Sequence, residues 1–400
     1  MYYSSFYYLL SSWKEIAFVL IIIISLLFFP YKFLDFKKNV SIKFLLIIVI
    51  LSIYGIIVGL GNKYNIFNVM VDNRDIMLPL YYFVLFLVMK FEVKNYKLLN
   101  YFLLFFISIH SVEAIYSYFT FSGNVKELWF YENAVSSTTG LQFDPVNFVR
   151  NDKVRATGFF SSPLEYSLTL VFFLYINLYY ILADSKWLNK IFFVLNFIFI
   201  SSAIYVSQVR TSFLTFFMGG LVFLFIYSNR VKLKYKSFIA LFTPISYVIL
   251  TFVYLSFNIS DFLKDPSSLG RITQYIEAFE LLTSKFGGIG FGNVGPKGEY
   301  GFDSNVLVSL MAFGWLGGII YNFIYLYIYI KLISYISTVK LYSKDINFNV
   351  LYFSILSYYS CFIYFFAFQY TLSFALQYLI MIISAVLISR CKEIDAQYVT

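Results

Sequence analysis

Charge is scarce in this sequence. Only 13% of its 400 residues are Asp, Glu, Lys or Arg, whereas soluble domains average about 25%. Hydrophobic residues make up 60%, and the mean hydropathy is +0.76. A water-soluble fold cannot bury that much apolar side chain, and apolar runs long enough to cross a bilayer, about 20 residues, recur from end to end. The chain is therefore predicted to be an all-α polytopic membrane protein.

Cysteine and histidine are almost absent. The two cysteines, Cys361 and Cys391, imply neither a disulfide framework nor a metal site, and His110 is the one histidine. The sequence has no internal repeat, Walker motif or dinucleotide fingerprint, and no predicted cytoplasmic segment is large enough to bind a nucleotide. Direct use of ATP is not expected, nor is a cofactor. The first apolar run lacks a small-residue cleavage site, so it is predicted to be a retained helix.

The apolar runs predict 11 transmembrane spans in one integral membrane domain covering residues 1–400. The apolar segment before Lys14 would raise the count to 12 if it forms a half-helix or an interfacial anchor. The predicted spans lie near residues 16–30, 44–60, 76–91, 98–121, 163–183, 188–207, 211–228, 237–257, 305–330, 350–368 and 371–389.

The net charge of +9 is better explained by membrane topology than by nucleic-acid binding. One set of alternate connections carries 18 Lys and Arg residues in short segments. The other set carries 12, mostly in two long loops, where the positive-inside rule has little force. The first set is predicted to be cytoplasmic. Residues 122–162 and 258–304 are then external loops, and the C-terminus is inside.

The larger external loop is predicted to contain an amphipathic helix. Asp265-Pro266 is a suitable helix start, and apolar residues follow at helical spacing. The helix would lie against the outer surface of the bundle. Its apolar positions are Ile272, Tyr275, Ile276, Phe279 and Leu282.

Unusual polar residues gather on the predicted outer side. Three of them are arginines, Arg155, Arg210 and Arg271, and guanidinium groups suit the oxygens of a multivalent phosphate. An outer-leaflet enzyme cannot draw on cytosolic sugar nucleotides, so its activated substrate would be a glycan on polyprenyl pyrophosphate. Such an enzyme also needs a base to deprotonate an acceptor hydroxyl. Asp303 is the first candidate for the base and Glu165 the second.

Each of these residues also has a purely structural interpretation. An arginine at a helix end often contacts lipid headgroups, although Arg210 lies in a tight turn between two apolar runs, where charge is usually functional. Glu165 would favour the N-terminus of its helix, and Asp303 would cap the next one. The run Gly287–Gly292 would be only a flexible loop.

Two further sets of ionisable residues have open roles. His110 and Glu113 share a helix face within one span. They form either a proton relay or a polar contact between helices, and the structural interpretation is favoured. Asp72, Arg74 and Asp75 are predicted to lie in the first external loop, as surface or rim charges.

The order of these stretches resembles the O-antigen polymerase and O-antigen ligase superfamily, whose members are multispanning proteins of the bacterial inner membrane. The resemblance covers roughly residues 150–320 by motif. The matching stretches are Arg155-Ala-Thr-Gly-Phe-Phe160, Ser207-Gln-Val-Arg-Thr211, Gly270-Arg271, Gly288-Ile-Gly-Phe-Gly292, Asp303-Ser-Asn305 and Gly314-Trp-Leu-Gly317.

The resemblance implies a membrane-embedded inverting glycosyltransferase that uses neither a nucleotide sugar nor an obligatory metal. Its active site would face the periplasm or the cell exterior. The family's arginines bind the pyrophosphate, which carries over to Arg155, Arg210 and Arg271. Supporting roles are expected for Thr157, Ser207 and Asn305.

Asp303 stands where the ligases typically carry histidine, which favours a polymerase of O-antigen or capsule repeat units. The polymerase would transfer a glycan from undecaprenyl pyrophosphate to the non-reducing-end sugar of another lipid-linked unit. Expected partners are these lipid-linked repeat units, membrane lipid and a chain-length regulator, but not nucleic acid. The alternatives are ligase-type transfer to a lipid or protein acceptor, and a flippase of the lipid-linked unit. A transporter should carry ionisable groups near mid-membrane, whereas the unusual charges here lie mostly at the outer rim, with His110 and Glu113 the main exceptions.

Overall fold

The computed structural model describes most of the helical part of the chain. The described residues are 13–28, 40–90, 93, 95–120, 149–150, 153–157, 163–183, 186–228, 232, 235–243, 245–246, 249, 266–294, 302, 304–368, 371 and 375–398.

Helices dominate the described residues, as the apolar composition predicts. In chain order they are α1 (Trp13–Phe28), α2 (Val40–Gly61), α3 (Ile66–Met89), α4 (Tyr96–Thr120), α5 (Pro163–Ala183), α6 (Trp187–Ser207), α7 (Arg210–Tyr227), α8 (Pro266–Ser284), α9 (Asn305–Ser334), α10 (Ile336–Tyr342), α11 (Ile346–Phe368) and α12 (Ala375–Tyr398).

A short hairpin precedes α5. Its strands are β1 (Val149–Arg150) and β2 (Lys153–Val154), which pair antiparallel with Val149 opposite Val154. The spacing of the sequence did not predict this hairpin, because two-residue strands leave no periodic signal.

Among the described residues, six helical segments are long and apolar enough to cross a membrane. They are Ile42–Gly61, Tyr96–Thr120, Pro163–Ala183, Trp187–Ser207, Asn305–Tyr342 and Ala375–Tyr398. Each coincides with a predicted span, so the chain is an all-α polytopic membrane protein. Helices α1, α3, α7 and α11 overlap four further predicted spans. The total of 11 or 12 spans stays a prediction.

The chain divides into two compact units. Unit 1 comprises residues 1–33, 93–223 and 343–358, and unit 2 comprises residues 34–92, 224–342 and 359–400. In unit 1, α5 packs against α6 and α4, and 78% of its most apolar stretch is buried. In unit 2, α3 packs against α2 and α12, and α9 contacts α2, α8 and α12.

Helix α3 begins earlier than the sequence predicts. The span expected from residue 76 starts at Ile66, where Asn65 caps the helix by accepting a hydrogen bond from Phe67 N at 2.8 Å. The placement of Asp72 and Asp75 in an external loop is therefore wrong, because both lie within α3 and are buried.

Helix α9 is interrupted at Gly314, where φ is 69° and ψ is −175°. This conformation is open essentially only to glycine. An uninterrupted helix would bond Trp315 N to Met311 O. In α9 both groups bond outside the helix instead, as described below.

Candidate functional site

Unit 1 holds Arg155 beside the end of α6. The chain leaves β2 through residues 155–157, and Ala156 N donates a hydrogen bond to Val206 O at 3.2 Å. Strand β2 also contacts α4. Arg155 is half-buried, and Thr157 has no exposed surface. The segment that carries Arg155 is therefore fixed at the level where α6 ends.

The turn between α6 and α7 carries two of the predicted site residues. Helix α6 ends at Ser207, whose Oγ donates to Ile204 O at 2.6 Å. Gln208 follows in the left-handed conformation, with φ 53° and ψ 29°. Helix α7 then begins at Arg210, whose side chain lies outside the described part. Ser207 is completely buried and bonds to its own helix end.

Glu165 lies in the first turn of α5 and is only 5% exposed. A carboxylate there is favoured by the unpaired N–H groups and the dipole of the helix N-terminus. Ser212 Oγ donates to Ser167 Oγ at 2.6 Å. Since these serines each lie two residues after Arg210 and Glu165, the bond joins the two first turns that carry the predicted cation and the predicted base.

Helix α4 presents a polar face beside the same turn. Tyr166 OH donates to His110 O at 3.3 Å, and the His110 ring packs on Phe106 with centroids 4.3 Å apart. Glu113 Oε1 accepts from Ser117 Oγ at 2.5 Å. Glu113 Oε2 is buried and has no hydrogen-bond partner among the described residues. The C-terminal half of α4 thus carries two ionisable groups, and the Tyr166–His110 bond joins it to the first turn of α5.

Unit 1 therefore brings together five of the eight predicted site positions. An arginine-bearing segment, a buried carboxylate at a helix N-terminus and a second arginine-bearing turn are linked by hydrogen bonds. Such an arrangement can bind an anion and accept a proton. The positions are Arg155, Thr157, Glu165, Ser207 and the backbone of Arg210.

The remaining three predicted positions belong to unit 2. Helix α8 confirms the predicted amphipathic helix and begins at the expected Pro266. Arg271 lies in its second turn, with its side chain outside the described residues. Tyr275 OH lies 3.4 Å from Ser304 Oγ, and the Phe279 and Trp315 rings pack with centroids 5.6 Å apart. Helix α8 is thus attached to the first half of α9.

The start of α9 is bonded tightly within unit 2. Ser304 caps the helix by accepting from Leu307 N at 3.3 Å, so the capping position considered for Asp303 belongs to the next residue. Asn305 is completely buried. Its Nδ2 donates to Thr371 Oγ1 at 2.7 Å, and its Oδ1 accepts from Thr371 N at 2.8 Å. Asp303 itself lies outside the described residues.

Residues 286–294, the glycine segment, are ordered and docked on two helices. Ile289 N donates to Met311 O at 2.7 Å, and Trp315 N donates to Phe286 O at 3.3 Å. These bonds pair the two groups that the break at Gly314 releases from α9. On the other side, Phe291 N donates to Gly55 O of α2 at 2.9 Å. The interpretation of this run as a flexible loop is therefore wrong.

Asp72 of α3 completes the docking. Its Oδ2 accepts from Gly292 N at 2.8 Å and from Val294 N at 3.3 Å. The neighbouring charges pair with each other, because Arg74 Nε lies 2.7 Å from Asp75 Oδ1. Sequence reasoning missed this role of Asp72, since 220 residues separate it from Gly292. The signal that would have helped was a carboxylate within an apolar run.

A match to a known protein family covers part of this site. Residues 195–322 match the family model described as O-antigen ligase. These residues, the matched region, make up about a third of the chain. This match confirms the resemblance to the O-antigen polymerase and ligase superfamily and indicates an enzyme of the glycosyltransferase type. No curated protein matches the chain in sequence.

The matched region includes most of the candidate site. It contains the α6–α7 turn, α8, the glycine segment and the first half of α9. Arg155, Thr157 and Glu165 lie before it, and the roles of all eight predicted site positions stay predictions. The hydrogen bonds at Val206 and Ser212 connect these three earlier positions to the matched region.

Proposed function

We propose that this protein polymerises surface polysaccharide repeat units at the outer face of the bacterial inner membrane. The donor is a glycan on undecaprenyl pyrophosphate, and the acceptor is the non-reducing-end sugar of another lipid-linked unit. Arg155, Arg210 and Arg271 bind the pyrophosphate. Asp303 is the first candidate for the base that deprotonates the acceptor hydroxyl, and Glu165 is the second.

One observation carries the proposal most directly. The Ser212–Ser167 hydrogen bond joins the turn of Arg210, inside the matched region, to the turn of Glu165. The Ala156–Val206 bond places Arg155 at the same end of α6. Two cationic positions and a buried carboxylate at one end of a membrane unit suit a substrate with a charged headgroup and a reacting hydroxyl.

The proposed reaction is a single displacement at the anomeric carbon. The acceptor hydroxyl oxygen forms the new bond to that carbon while the bond to the pyrophosphate oxygen breaks, which inverts the configuration. The hydroxyl proton passes to the carboxylate, and the electron pair leaves with undecaprenyl pyrophosphate. Guanidinium groups stabilise the charge that develops on the leaving group. The glycan ends on the new unit, so the cycle repeats.

Ligation is the second candidate, because the matched family is described by that activity. A ligase would use the same donor and the same arginines but would transfer the glycan to a lipid core or a protein. Asp303, in place of the histidine that ligases typically carry, favours polymerisation. The two candidates differ in product: a polymerase makes a ladder of lipid-linked chains from the repeat unit alone.

The decisive experiment is polymerisation in vitro. Purified protein in liposomes receives its undecaprenyl-pyrophosphate repeat unit without nucleotide sugars, and the products are resolved by size. Arg155→Ala and Arg210→Ala should each lower the rate by about 10²–10³-fold, since removing one preorganised charge contact costs about 2.7–4 kcal/mol. Loss of activity in Asp303→Asn with survival in Glu165→Gln would assign the base to Asp303, and the reverse pattern would assign it to Glu165.

Arg390→Ala is the matched control. Its side chain is 47% exposed and pairs with Glu393 at 2.9 Å near the predicted cytoplasmic end. It should polymerise at the wild-type rate. A folded wild-type protein that yields no ladder contradicts the polymerase, and a product that forms only when a lipid or protein acceptor is added moves the assignment to ligation.

A further inference from the structure

The glycine segment has the backbone of an anion-binding loop. Gly288, Gly290 and Gly292 all have positive φ, between 75° and 106°. Successive N–H groups in such conformations form a concave nest for an anion. A phosphate-binding role would therefore be a natural assumption for a loop of this composition in an enzyme whose donor carries pyrophosphate.

The nest is already filled from within the protein. Gly292 N and Val294 N donate to Asp72 Oδ2. The other N–H groups of the loop with assigned partners bond to backbone oxygens: Gly288 N to Lys285 O, Ile289 N to Met311 O and Phe291 N to Gly55 O. Asp72 thus takes the place that a bound anion would occupy, and it is itself only 3% exposed.

The close packing of backbone on backbone supports the same conclusion. A Cβ at Gly59 of α2 would lie 2.1 Å from Phe291 O, so the loop and α2 touch without an intervening side chain. Asn62 Nδ2 also donates to Ile289 O at 3.0 Å, and Tyr54 OH donates to Gly287 O at 2.7 Å. The segment is therefore held in one place by α2, α3 and α9.

The docked segment fixes one end of α8. Helix α8 ends at Ser284, directly before the segment, and Arg271 lies on the same rigid helix. Through the contact of Tyr275 with Ser304, α8 also touches the residue that follows Asp303 in the chain. A shift of the segment would therefore move the helix that carries Arg271.

We propose that Asp72 is a positioning residue for the transfer reaction: its carboxylate fills the nest of the glycine segment and so fixes α8, the helix of Arg271. This inference rests on the proposed function for its activity readout. Asp72 does not touch the substrate. It acts through the placement of Arg271, and a misplacement of about 1 Å can cost about 10²-fold in rate.

The first measurement is hydrogen exchange of the glycine segment in the full-length protein in liposomes. Asp72→Ala removes the acceptor of Gly292 N and Val294 N, and Gly59→Ala introduces a clash with Phe291 O. Each should speed exchange at Gly292 and Val294 by about tenfold or more. Asp72→Asn keeps an acceptor oxygen and should be intermediate. Gly61→Ala is the matched control, because nothing lies within 4 Å of a Cβ there.

The second measurement is a double-mutant cycle on polymerisation. Asp72→Ala should lower kcat by about 10²-fold, and the effect should largely vanish in the Arg271→Ala background, because coupled residues are non-additive. A general loss of stability would instead lower activity to the same extent in both backgrounds. Asp72→Asn should recover part of the rate.

The outcomes separate the two proposals. A wild type that makes no polymer contradicts the proposed function, whereas exchange still tests whether Asp72 holds the loop. A wild type that polymerises with additive Asp72 and Arg271 effects, or an Asp72→Ala variant with normal exchange, overturns the positioning role. Protection of the segment by added inorganic pyrophosphate in the wild type would overturn it as well, because it would make the nest a substrate site.

Discussion

Both ends of the Asn305 side-chain amide bond to one residue, Thr371. Its Nδ2 and Oδ1 bond to the side chain and the backbone N–H of Thr371, and neither residue is more than 5% exposed. Asparagine can satisfy a donor and an acceptor at once, which neither aspartate nor an apolar residue does in the same way. The supporting role predicted for Asn305 thus has a structural basis in the link between the start of α9 and residue 371.

Asn305→Ala should therefore lower stability by about 1–3 kcal/mol, because it leaves buried polar groups of Thr371 without their partner. The melting temperature in detergent measures this effect. Thr371→Val removes the hydroxyl acceptor and should be less costly. The double variant should cost less than the sum of the single ones, and strict additivity would contradict a direct pairing of the two side chains.

At the scale of elements, the broken helix α9 and the glycine segment form one hydrogen-bonded unit. Gly314 supplies the break, and the freed Met311 O and Trp315 N bond to the segment. Irregular backbone at membrane depth is tolerated only where protein satisfies its polar groups. The motif glycines therefore serve close packing and backbone pairing between α9 and the segment.

Gly314→Ala tests whether the break in α9 and its bonds to the glycine segment stabilise the protein. The backbone conformation alone should cost about 1–3 kcal/mol, and a Cβ there would lie 2.5 Å from Gly287 C. We expect a lower melting temperature and faster hydrogen exchange in the glycine segment. Gly220→Ala is the control in a helix, since nothing lies within 4 Å of its added Cβ. Equal stability of the two variants would argue against the break at Gly314.

The helices of unit 1 are tied together by a chain of amides. Ser108 Oγ of α4 donates to Asn196 Oδ1 of α6 at 3.1 Å, and Asn196 Nδ2 donates to Asn177 Oδ1 of α5 at 3.0 Å. Hydrogen bonds between membrane helices contribute about 0.6 kcal/mol on average. These bonds add specificity to the packing of α4, α5 and α6.

Asn196→Ala should accordingly lower stability by about 1–2 kcal/mol, since it breaks two interhelical bonds at once. Chemical unfolding in mixed micelles is a suitable measurement. Ser202→Ala on the same helix is the control, because within the described part of the chain Ser202 Oγ bonds only to Ile198 O of its own helix. If both substitutions cost the same, the amide chain does not stabilise unit 1.

For the molecule as a whole, local patterns predicted the elements, but not the contacts between distant segments. The class, most helices and the start of α8 at Pro266 follow from apolar length, periodicity and a proline signal. The anchoring by Asp72 and the Asn305–Thr371 pair depend on residues far apart in sequence. Spacing along the sequence carries no information about such pairs. Asp72 was therefore predicted only as a surface or rim charge, and Asn305 only in a supporting role without a named partner.

Membrane orientation is the whole-molecule prediction that the charge pattern makes. The set of connections with 18 basic residues is cytoplasmic if the positive-inside rule holds. Single-cysteine labelling with a membrane-impermeant maleimide tests it in intact cells. Both native cysteines are at most 4% exposed, so the wild type should stay unlabelled and serve as its own background.

Phe286→Cys and Leu341→Cys form the matched pair, because these side chains are 70% and 61% exposed. Phe286 belongs to the predicted external loop 258–304, and Leu341 belongs to a predicted cytoplasmic connection. Phe286→Cys should label in intact cells, and Leu341→Cys only after the membrane is permeabilised. The opposite pattern would place residues 258–304 in the cytoplasm, where sugar nucleotides are available, and would remove the main reason for a polyprenyl-pyrophosphate donor.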